Sequence, residues 1–229
     1  IDFIVVRENT EGLYAGREYL SGETAIAERV ITNRASLRIG KKALEISASR
    51  QRKKLTIVHK ANILPVTDGL FRDTIRSIAS QNENPYQEVE IDELLVDTAA
   101  LRLVERPTDF DVLVTTNLFG DILSDIGAYW CGGMGLAASI NLGDNLAISE
   151  PVHGSAPDIA GTGKANPIAA ILSASLLARY HWALPGIAER IETAVHLALQ
   201  NDLAIENSHI APIETTQTIT QAITRRLNE

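Results

Sequence analysis

Two aspartates four residues apart, Asp121 and Asp125, lie in the apolar stretch NLFGDILSDIGAYW, which runs from residue 117 to residue 130. Residues at this spacing share one helix face, where two like charges are unfavourable by roughly a few tenths of a kcal/mol. Mg²⁺ or Mn²⁺ would offset that repulsion, because these cations bind carboxylate oxygens and keep water in their remaining positions. Spacing alone favours a plainer alternative, in which Asp121 faces the helix dipole and Asp125 is solvated.

Two further segments place polar side chains directly after apolar, strand-like runs. VHKANILP presents Lys60 after the run 55–58, and VRENTEGLY presents Arg7 and Tyr14 after the run 3–6. Ligands of α/β proteins bind at the carboxyl ends of parallel strands. There an arginine can fork onto a carboxylate, and a lysine or tyrosine can move a proton. Each segment alone also fits ordinary surface residues, but together they indicate a site for a small anionic molecule.

The segment EPVHGSAPDIAGTGKANP, residues 150–167, combines small residues with an acidic side chain. Gly154, Ser155 and Ala156 would let the backbone approach a ligand closely. Asp158 would accept a hydrogen bond from a ribose hydroxyl, as acidic residues do for NAD. The structural alternative is a capping box, in which Ser155 and Asp158 begin a helix.

The segment Gly133-x-Gly135-x-x-Ala138 matches the dinucleotide fingerprint G-x-G-x-x-G/A, but its surroundings do not fit. The helical stretch DILSDIGAYW precedes it where a strand is required, and SINLGD, which follows, is not a helix. The sequence therefore argues against a conventional Rossmann site. There is also no H-E-x-x-H zinc motif and no G-x-S-x-G serine hydrolase turn.

Strand-like and helical segments alternate along the chain, which predicts an α/β fold with a substantially parallel sheet. The Gly-rich stretch 131–135 is the predicted crossover between two domains. Strands are predicted at 3–6, 55–58 and 110–114, and helices at 34–49, 70–80, 93–104, 166–179, 187–199 and 216–227.

The composition limits the partners of the chain. Its 229 residues are 45% hydrophobic and carry a formal net charge of −8, which predicts a soluble globular protein without attraction to nucleic acid or anionic membranes. No apolar run approaches the roughly 20 residues that span a bilayer. The single cysteine, Cys131, fits a reducing compartment, so we expect a cytoplasmic location, or the mitochondrial matrix in a eukaryote. Because the chain starts inside a strand-like run without Met, we expect an N-terminal piece to be missing.

Five segments of the chain, taken together and in their order along the sequence, resemble segments of the β-decarboxylating dehydrogenases that act on isocitrate, isopropylmalate, homoisocitrate and tartrate. The resemblance implies the isopropylmalate dehydrogenase-like two-domain fold, with a mixed, largely parallel sheet and its N-terminal part truncated. It implies a smaller substrate and dimerisation domain over 1–132, with a clasp arm near 15–30, and the C-terminal half of a nucleotide-binding domain over 133–229. The five segments are VRENTEGLYAG (6–16), VHKANILPVTDGLF (58–71), VDTAALRLV (96–104), NLFGDILSDIGA (117–128) and EPVHGSAPDIAG (150–161).

The resemblance also implies a role for each matching residue near the substrate. Arg7 binds a substrate carboxylate, and Tyr14 protonates the enolate that decarboxylation leaves. Lys60 accepts the proton of the substrate hydroxyl, with Asn62 beside it.

The implied cofactors are NAD and Mg²⁺ or Mn²⁺. The cation lies among Asp121 and Asp125 of one subunit and Asp97 of the other, so the active unit is a homodimer or higher oligomer with shared sites. The residues that match the cofactor loop of the family are His153, Gly154, Ser155, Ala156, Asp158, Ile159 and Asn166.

The implied reaction is the oxidative decarboxylation of a 2-hydroxy di- or tricarboxylic acid to a 2-oxo acid and CO₂. The R-E-N form at 7–9, with the A-S-x-R-I-G and H-K-A-N-I-L-P segments, resembles homoisocitrate enzymes most and isocitrate enzymes next. Asp158 stands where NADP-using relatives commonly carry lysine, which predicts NAD. The alternatives are a 3-isopropylmalate or tartrate dehydrogenase, and a non-catalytic regulatory or binding subunit on the same fold.

Overall fold

The computed structural model describes residues 1–80, 85–203, 205–206, 209–210 and 214–228. The chain forms two compact units, Ile1–Gly127 and Ala128–Glu229. The domain boundary predicted between residues 132 and 133 lies close to this division, and the functions assigned to the two domains remain predictions. Among the described residues, no helix is long and apolar enough to cross a membrane.

Among the described residues, the first unit contains six strands, three complete α-helices and most of a fourth. The last helix, α4, continues into the second unit. In chain order the elements are β1 (Ile4–Arg7), β2 (Glu18–Ser21), β3 (Thr24–Ala27), α1 (Asn33–Ser49), β4 (Lys54–His59), α2 (Thr67–Ala79), β5 (Glu90–Leu95), α3 (Val96–Glu105), β6 (Val112–Thr115) and α4 (Asn117–Trp130).

Four of these strands form a wholly parallel sheet in the order β1-β6-β4-β5. This confirms the predicted α/β class. The register aligns Arg7 with Thr115, Thr115 with Val58, and His59 with Leu95, so the carboxyl ends of all four strands lie at one edge. The polar residues that follow the strands are therefore gathered at that edge, which we call the carboxyl edge.

Helices cover the sheet because its two central strands, β4 and β6, are buried along nearly their whole length. The burial pattern of β6 is continuous, as expected for a parallel strand with both faces covered. On one side Leu113 and Val58 pack with Leu103 of α3 and Leu123 of α4. Helices α1 and α2 pack against each other and against β4. The site residues thus project from a rigid core.

The predicted helix over 93–104 is wrong in its first part. Residues 90–95 form β5, and α3 begins only at Val96. β5 is the outermost strand of the sheet and, within the described part of the chain, pairs only with β4. It is therefore half-exposed and contains acidic residues that are rare in strands. Its local sequence favours a helix, and the backbone groups offered by β4 decide the outcome.

Strands β2 and β3 form an antiparallel hairpin within the predicted clasp arm. All eight strand residues are exposed in the single chain, including Tyr19, Leu20 and Ile26. The hairpin closes at its root, where Glu28 N–H donates to the Arg17 carbonyl over 2.8 Å. Its function as a subunit clasp remains a prediction.

The second unit packs three helices around a separate apolar core. Helix α5 packs against β7, β8 and α6, and α6 packs against α7. The segment 133–138, which matches the dinucleotide fingerprint, follows a helix and leads into a strand. The prediction that it is not a Rossmann motif is therefore confirmed. The elements are β7 (Ala138–Leu142), β8 (Ala147–Pro151), α5 (Ile168–Tyr180), α6 (Pro185–Asn201), β9 (Ile205–Glu206), β10 (His209–Ile210) and α7 (Thr216–Asn228).

Candidate active site

The first cluster at the carboxyl edge joins Arg7, Tyr14 and Asp121. Arg7 Nη1 lies 2.6 Å from Asp121 Oδ1, and Tyr14 OH donates to Asp121 Oδ2 over 2.7 Å. Arg7 Nε and Nη2 both donate to Asn117 Oδ1, over 3.1 and 2.8 Å. The guanidinium also lies 5.1 Å from the centre of the Tyr14 ring. The arginine predicted to bind substrate, the predicted proton donor and a predicted metal ligand therefore meet in one place.

Charge and hydrogen bonding shift the acid–base properties of this cluster. The hydrogen bond from Tyr14, followed by the charge of Arg7, holds the pKa of Asp121 below its ordinary value. The same hydrogen bond raises the pKa of Tyr14, because ionising the phenol would place a second negative charge beside the carboxylate. Tyr14 thus stays protonated and Asp121 ionised, as an acid and a metal ligand require.

A glycine allows Arg7 to lie against α4. A Cβ atom at Gly120 would come within 2.5 Å of Arg7 Cγ and 2.8 Å of Arg7 Cβ. Real Cβ atoms do not approach other atoms so closely, so any side chain at 120 would displace the arginine. Gly120 was not among the predicted site residues, although it stands one position before Asp121 in the motif.

The loop that carries Tyr14 is shaped by a carboxylate that the sequence analysis did not single out. Glu8 is only 3% exposed. Its carboxylate accepts from the backbone N–H of Thr10 and of Glu11, over 2.9 and 3.0 Å. Arg38 of α1 compensates the charge with a 2.7 Å contact. Glu8 lies in the segment VRENTEGLY, but only the fold shows that it is buried and binds two backbone N–H groups.

The two aspartates of α4 differ in their surroundings. Asp121 is the fifth residue of a helix that begins at Asn117, so it lies outside the first turn, and the alternative in which it faces the helix dipole is wrong. Its compensation comes from Arg7 and Tyr14 and not from the helix dipole. Asp125 lies one turn further along the same face and is exposed. Two carboxylates on one face, one of them open to solvent, fit a hard cation with several bound waters.

The second cluster lies over the ends of β4 and β5. Lys60 Nζ donates to Asp97 Oδ1, and this hydrogen bond is the main cause of the lowered pKa of Asp97. Asp97 lies in the first turn of α3, directly after β5. Asn62 is exposed in the turn after Lys60. The lysine and the third carboxylate are therefore partners within one chain.

A buried histidine and a buried carboxylate shape the turn that carries Lys60. Ala61 N–H donates to His59 Nδ1 over 3.1 Å, so the proton of the neutral ring is on Nε2, 3.7 Å from Glu93 Oε2. Burial lowers the pKa of His59. Asp68 Oδ2 accepts from Lys60 N–H over 2.6 Å. Neither residue was among the predicted site residues. His59 directly precedes Lys60, but only the fold buries it and brings Asp68 back to the turn.

The two clusters are separate in the single chain. Strand β4 stands two positions from β1 in the sheet, which corresponds to roughly 10 Å between the strand ends. Within the described ranges, no group of three His, Cys, Asp or Glu side chains is close enough to hold a metal ion. Asp97 therefore does not join Asp121 and Asp125 within one chain.

The predicted cofactor loop follows β8 in the second unit and is mostly exposed. Ala156 has a left-handed conformation with φ of 42°, followed by a 3-10 turn at Pro157–Ile159. This turn has no side-chain cap, so the alternative of a capping box at Ser155 and Asp158 is wrong. The left-handed residue turns the chain sharply and exposes Asp158.

The ends of this loop are tied to neighbouring elements. His153 Nδ1 lies 2.8 Å from the Gly154 carbonyl. Asn166 Oδ1 accepts from the N–H of Ile168, the first residue of α5, over 3.0 Å. Thr216 N–H donates to the Gly163 carbonyl over 2.8 Å. The structure places all seven predicted loop residues in one segment, where Ser155, Asp158 and Ile159 face solvent.

A family model described as isocitrate/isopropylmalate dehydrogenase matches residues 1–224. The chain is 48% identical over 227 residues to an isocitrate/homoisocitrate dehydrogenase of Thermus thermophilus, covering 99% of this chain and 66% of that protein. It is 53% identical over 180 residues to a homoisocitrate dehydrogenase of Methanocaldococcus jannaschii, covering 79% of this chain and 50% of that protein. The chain thus spans between half and two thirds of these relatives.

A solved structure is similar over the same extent. The fold matches the crystal structure of isocitrate dehydrogenase from Methylococcus capsulatus with a TM-score of 0.88 and 41% sequence identity. The match covers 99% of this chain and 67% of that chain. On these grounds, the chain belongs to the isocitrate/isopropylmalate dehydrogenase family.

Proposed function

We propose that the protein is an NAD- and metal-dependent dehydrogenase that oxidises and decarboxylates a 2-hydroxy di- or tricarboxylic acid. The observation that carries this proposal is the cluster of Arg7, Tyr14 and Asp121 at the carboxyl edge. It combines a carboxylate-binding cation, a protonated phenol and an ionised carboxylate. Family membership supports the same reaction class.

Each side chain then has a defined task. Arg7 binds a carboxylate of the substrate through its guanidinium fork. Lys60 Nζ takes the proton of the substrate hydroxyl, and Tyr14 OH returns a proton to the carbon that loses CO₂. Asn62 hydrogen-bonds the substrate beside Lys60.

Asp121 and Asp125, together with Asp97 of the partner subunit, would hold Mg²⁺ or Mn²⁺. When bound, the cation would supply positive charge that favours loss of the proton from the substrate hydroxyl, and NAD would supply the hydride acceptor. Without a cation, Arg7 and Tyr14 compensate the charge of Asp121. Asp121 is therefore oriented in advance, while exposed Asp125 is able to rearrange.

The active unit is proposed to be at least a homodimer. The separation of the two clusters within one chain supports this, since Lys60 and Asp97 lie over different strands from Arg7 and Asp121. Lys60 and Asp97 of one subunit would complete the site of the other. The exposed β2–β3 hairpin would clasp the two subunits, residues 1–132 forming the substrate and dimerisation domain.

Homoisocitrate, with isocitrate next, is the proposed substrate. The similarity to relatives named for these two substrates supports this choice. 3-Isopropylmalate and tartrate are the competing substrates.

NAD is the proposed cofactor, bound by the loop from His153 to Asn166 in the nucleotide-binding half, residues 133–229. A carboxylate at Asp158 repels the 2′-phosphate of NADP and accepts a hydrogen bond from the free 2′-hydroxyl of NAD. Its exposed position makes it available to a ligand.

The experiment follows NADH absorbance while the full-length protein is mixed with Mg²⁺, NAD and each of the four 2-hydroxy acids. We expect turnover with homoisocitrate or isocitrate, and a loss of about 100-fold or more in Asp121→Asn. Asp144→Asn, a matched change of an exposed aspartate in the turn between β7 and β8, should behave as wild type. Binding of a hydroxy acid without turnover by a folded protein would instead indicate a non-catalytic binding subunit.

A further inference from the structure

A fully buried carboxylate lies behind the turn that carries Lys60. Asp68, in the first turn of α2, is 0% exposed. Its Oδ2 accepts from Lys60 N–H over 2.6 Å. Its Oδ1 lies 2.5 Å from Arg29 Nη1, a contact between charges without the alignment of a hydrogen bond. A buried carboxylate is unfavourable unless it is paired, so its position at this turn calls for a function.

The turn itself is closed by backbone bonds that begin at Lys60. The Lys60 carbonyl accepts from the N–H groups of Ile63 and Leu64, each over 2.9 Å. Asp68 N–H in turn donates to the Leu64 carbonyl over 3.0 Å. The backbone of Lys60 is thus held on its amide side by the Asp68 carboxylate, and on its carbonyl side by the turn that leads into α2.

Arg29 connects this turn to the start of α4. Its side chain is 13% exposed, and Nη2 donates to Thr116 Oγ1 over 2.8 Å. Its guanidinium also lies 4.8 Å from the centre of the Phe119 ring. Thr116 and Phe119 flank Asn117, which binds Arg7. One arginine therefore contacts the bases of both clusters of the candidate site.

Arg29 also follows the root of the exposed hairpin. Strand β3 ends at Ala27, and Glu28 N–H closes the hairpin on the Arg17 carbonyl. The guanidinium thus ties three segments together: the base of the hairpin, the Lys60 turn and the start of α4.

We propose that Arg29 and Asp68 are a positioning pair, which fixes the turn of Lys60 against the start of α4 and the root of the hairpin, and so sets where Lys60 is presented to the site of the partner subunit. Neither side chain acts on the substrate; both act through Lys60 and the start of α4. The proposal rests on the proposed role of Lys60 as proton acceptor.

A similar ion pair at the amino ends of the strands provides the control. Asp111 is 1% exposed, lies 2.5 Å from Arg50 Nε and accepts from Lys54 N–H over 3.2 Å. It therefore repeats the arrangement of Asp68, but at the amino end of β4 and β6 and away from the candidate site.

The first test measures amide hydrogen exchange of the 59–64 segment in the full-length protein. We expect Asp68→Asn, and Asp68→Ala if it folds, to accelerate exchange at this segment by about tenfold or more, because the acceptor of the Lys60 amide is lost or weakened. Asp111→Asn should lower the melting temperature without accelerating exchange there. Equal exchange at the 59–64 segment in wild type and Asp68→Asn would overturn the proposal.

The second test separates positioning from stability. Arg29→Met should lower kcat by about 100-fold with a smaller change in the KM of the hydroxy acid, since a displaced proton acceptor impairs chemistry more than binding. Arg29→Lys, which keeps the charge, should recover most of the rate. If Asp111→Asn lowers kcat as much as Arg29→Met does, the Arg29–Asp68 pair has only a structural role.

The two proposals fail in different ways. Wild-type turnover in Lys60→Met would remove the proposed role of Lys60, while faster exchange in Asp68→Asn would still show that the pair holds the turn. If exchange of the 59–64 segment stays slow in Asp68→Asn while Lys60→Met is inactive, only the proposal of the positioning pair is disproved.

Discussion

The carboxyl edge and the 153–166 loop present their proposed site residues in opposite ways. At the carboxyl edge, side chains hold one another: Arg7 binds Asp121, and Lys60 is held through Asp68. In the loop, the backbone sets the conformation, through the left-handed Ala156 and the hydrogen bond from Thr216 N–H to the Gly163 carbonyl. Asp158 faces solvent.

This difference has a physical origin. Several charged groups lie together at the carboxyl edge, where each must be compensated before a ligand binds, because partly buried charges are costly when unpaired. The loop concentrates no such charge and can leave its side chains to solvent. Substitutions at the edge should therefore disturb neighbours and chemistry together, whereas substitutions in the loop should alter cofactor binding alone.

The largest effects are expected from Lys60 and Tyr14, the two residues proposed to transfer protons. Lys60→Met and Tyr14→Phe should each lower kcat by about 10²–10⁴-fold, because each removes a proton transfer. The melting temperature should change little, since Tyr14 and Asp97 are exposed and such surface contacts add little stability. Steady-state kinetics and thermal melting measure the two effects.

The control for Lys60→Met and Tyr14→Phe is Lys42→Met, which removes an exposed lysine paired with Glu45 and should leave kcat unchanged. Mixing inactive Lys60→Met with inactive Asp121→Asn subunits should restore part of the activity if sites are shared. Mixed dimers that form without any recovery would contradict shared sites.

Two glycine substitutions test the comparison directly. Gly120→Ala should displace Arg7 and destabilise the protein by about 1–3 kcal/mol, because the added methyl group has no space. Gly154→Ala meets no atom within 4 Å, so it should leave the melting temperature unchanged and raise only the KM for NAD.

Gly69→Ala is the matched control, a buried helical glycine with nothing within 4 Å of the added Cβ. It should be neutral or stabilising by up to about 1 kcal/mol. A neutral Gly120→Ala, or a destabilised Gly154→Ala, would break the distinction between the two regions.

A smaller effect is expected from charge reversal in the loop. Asp158→Lys should shift the ratio of kcat/KM for NAD over NADP towards NADP by about tenfold or more, since a favourable contact with the 2′-phosphate replaces a repulsive one. Thermal stability should be unaffected because the side chain is exposed. A wild-type protein that already prefers NADP would disprove the assignment of NAD.

The smallest effect concerns His59. Burial lowers its pKa, so the unfolded chain binds a proton at a higher pH than the folded chain. Its contribution to stability is therefore complete above the unfolded pKa, about 6.5, and is lost as the pH falls below it. In His59→Gln, the free energy of unfolding should decrease less between pH 7.5 and 5, as denaturant titrations would measure. An unchanged decrease would argue against a neutral, buried ring.

Much of the architecture was predictable because its signals are local. The apolar runs at 3–6, 55–58 and 110–114 became parallel strands, and the helices after Pro167 and Pro185 were confirmed. Strand β5 was missed, because an acidic edge strand has no local signature and forms only against β4.

The candidate site divides in the same way. The residues that would touch substrate, metal and cofactor were named from motifs, since reactive side chains follow strand ends in recognisable segments. The residues that hold them were not predicted: Glu8, Arg29 and Asp68 are ordinary polar residues until the fold buries them. The pairing of Lys60 with Asp97 within one chain likewise required the order of strands in the sheet.

By itself, the sequence determined the α/β class and the family, and it predicted the residues of the candidate site, because periodicity and motifs are properties of neighbouring residues. Only the tertiary structure decided which charges meet. It brought Arg7 and Asp121, more than a hundred positions apart, within 2.6 Å, and it buried Asp68 beneath Lys60. The physical reason is that compensation of charge depends on distance in space, which a parallel sheet sets by its strand order and not by position along the chain.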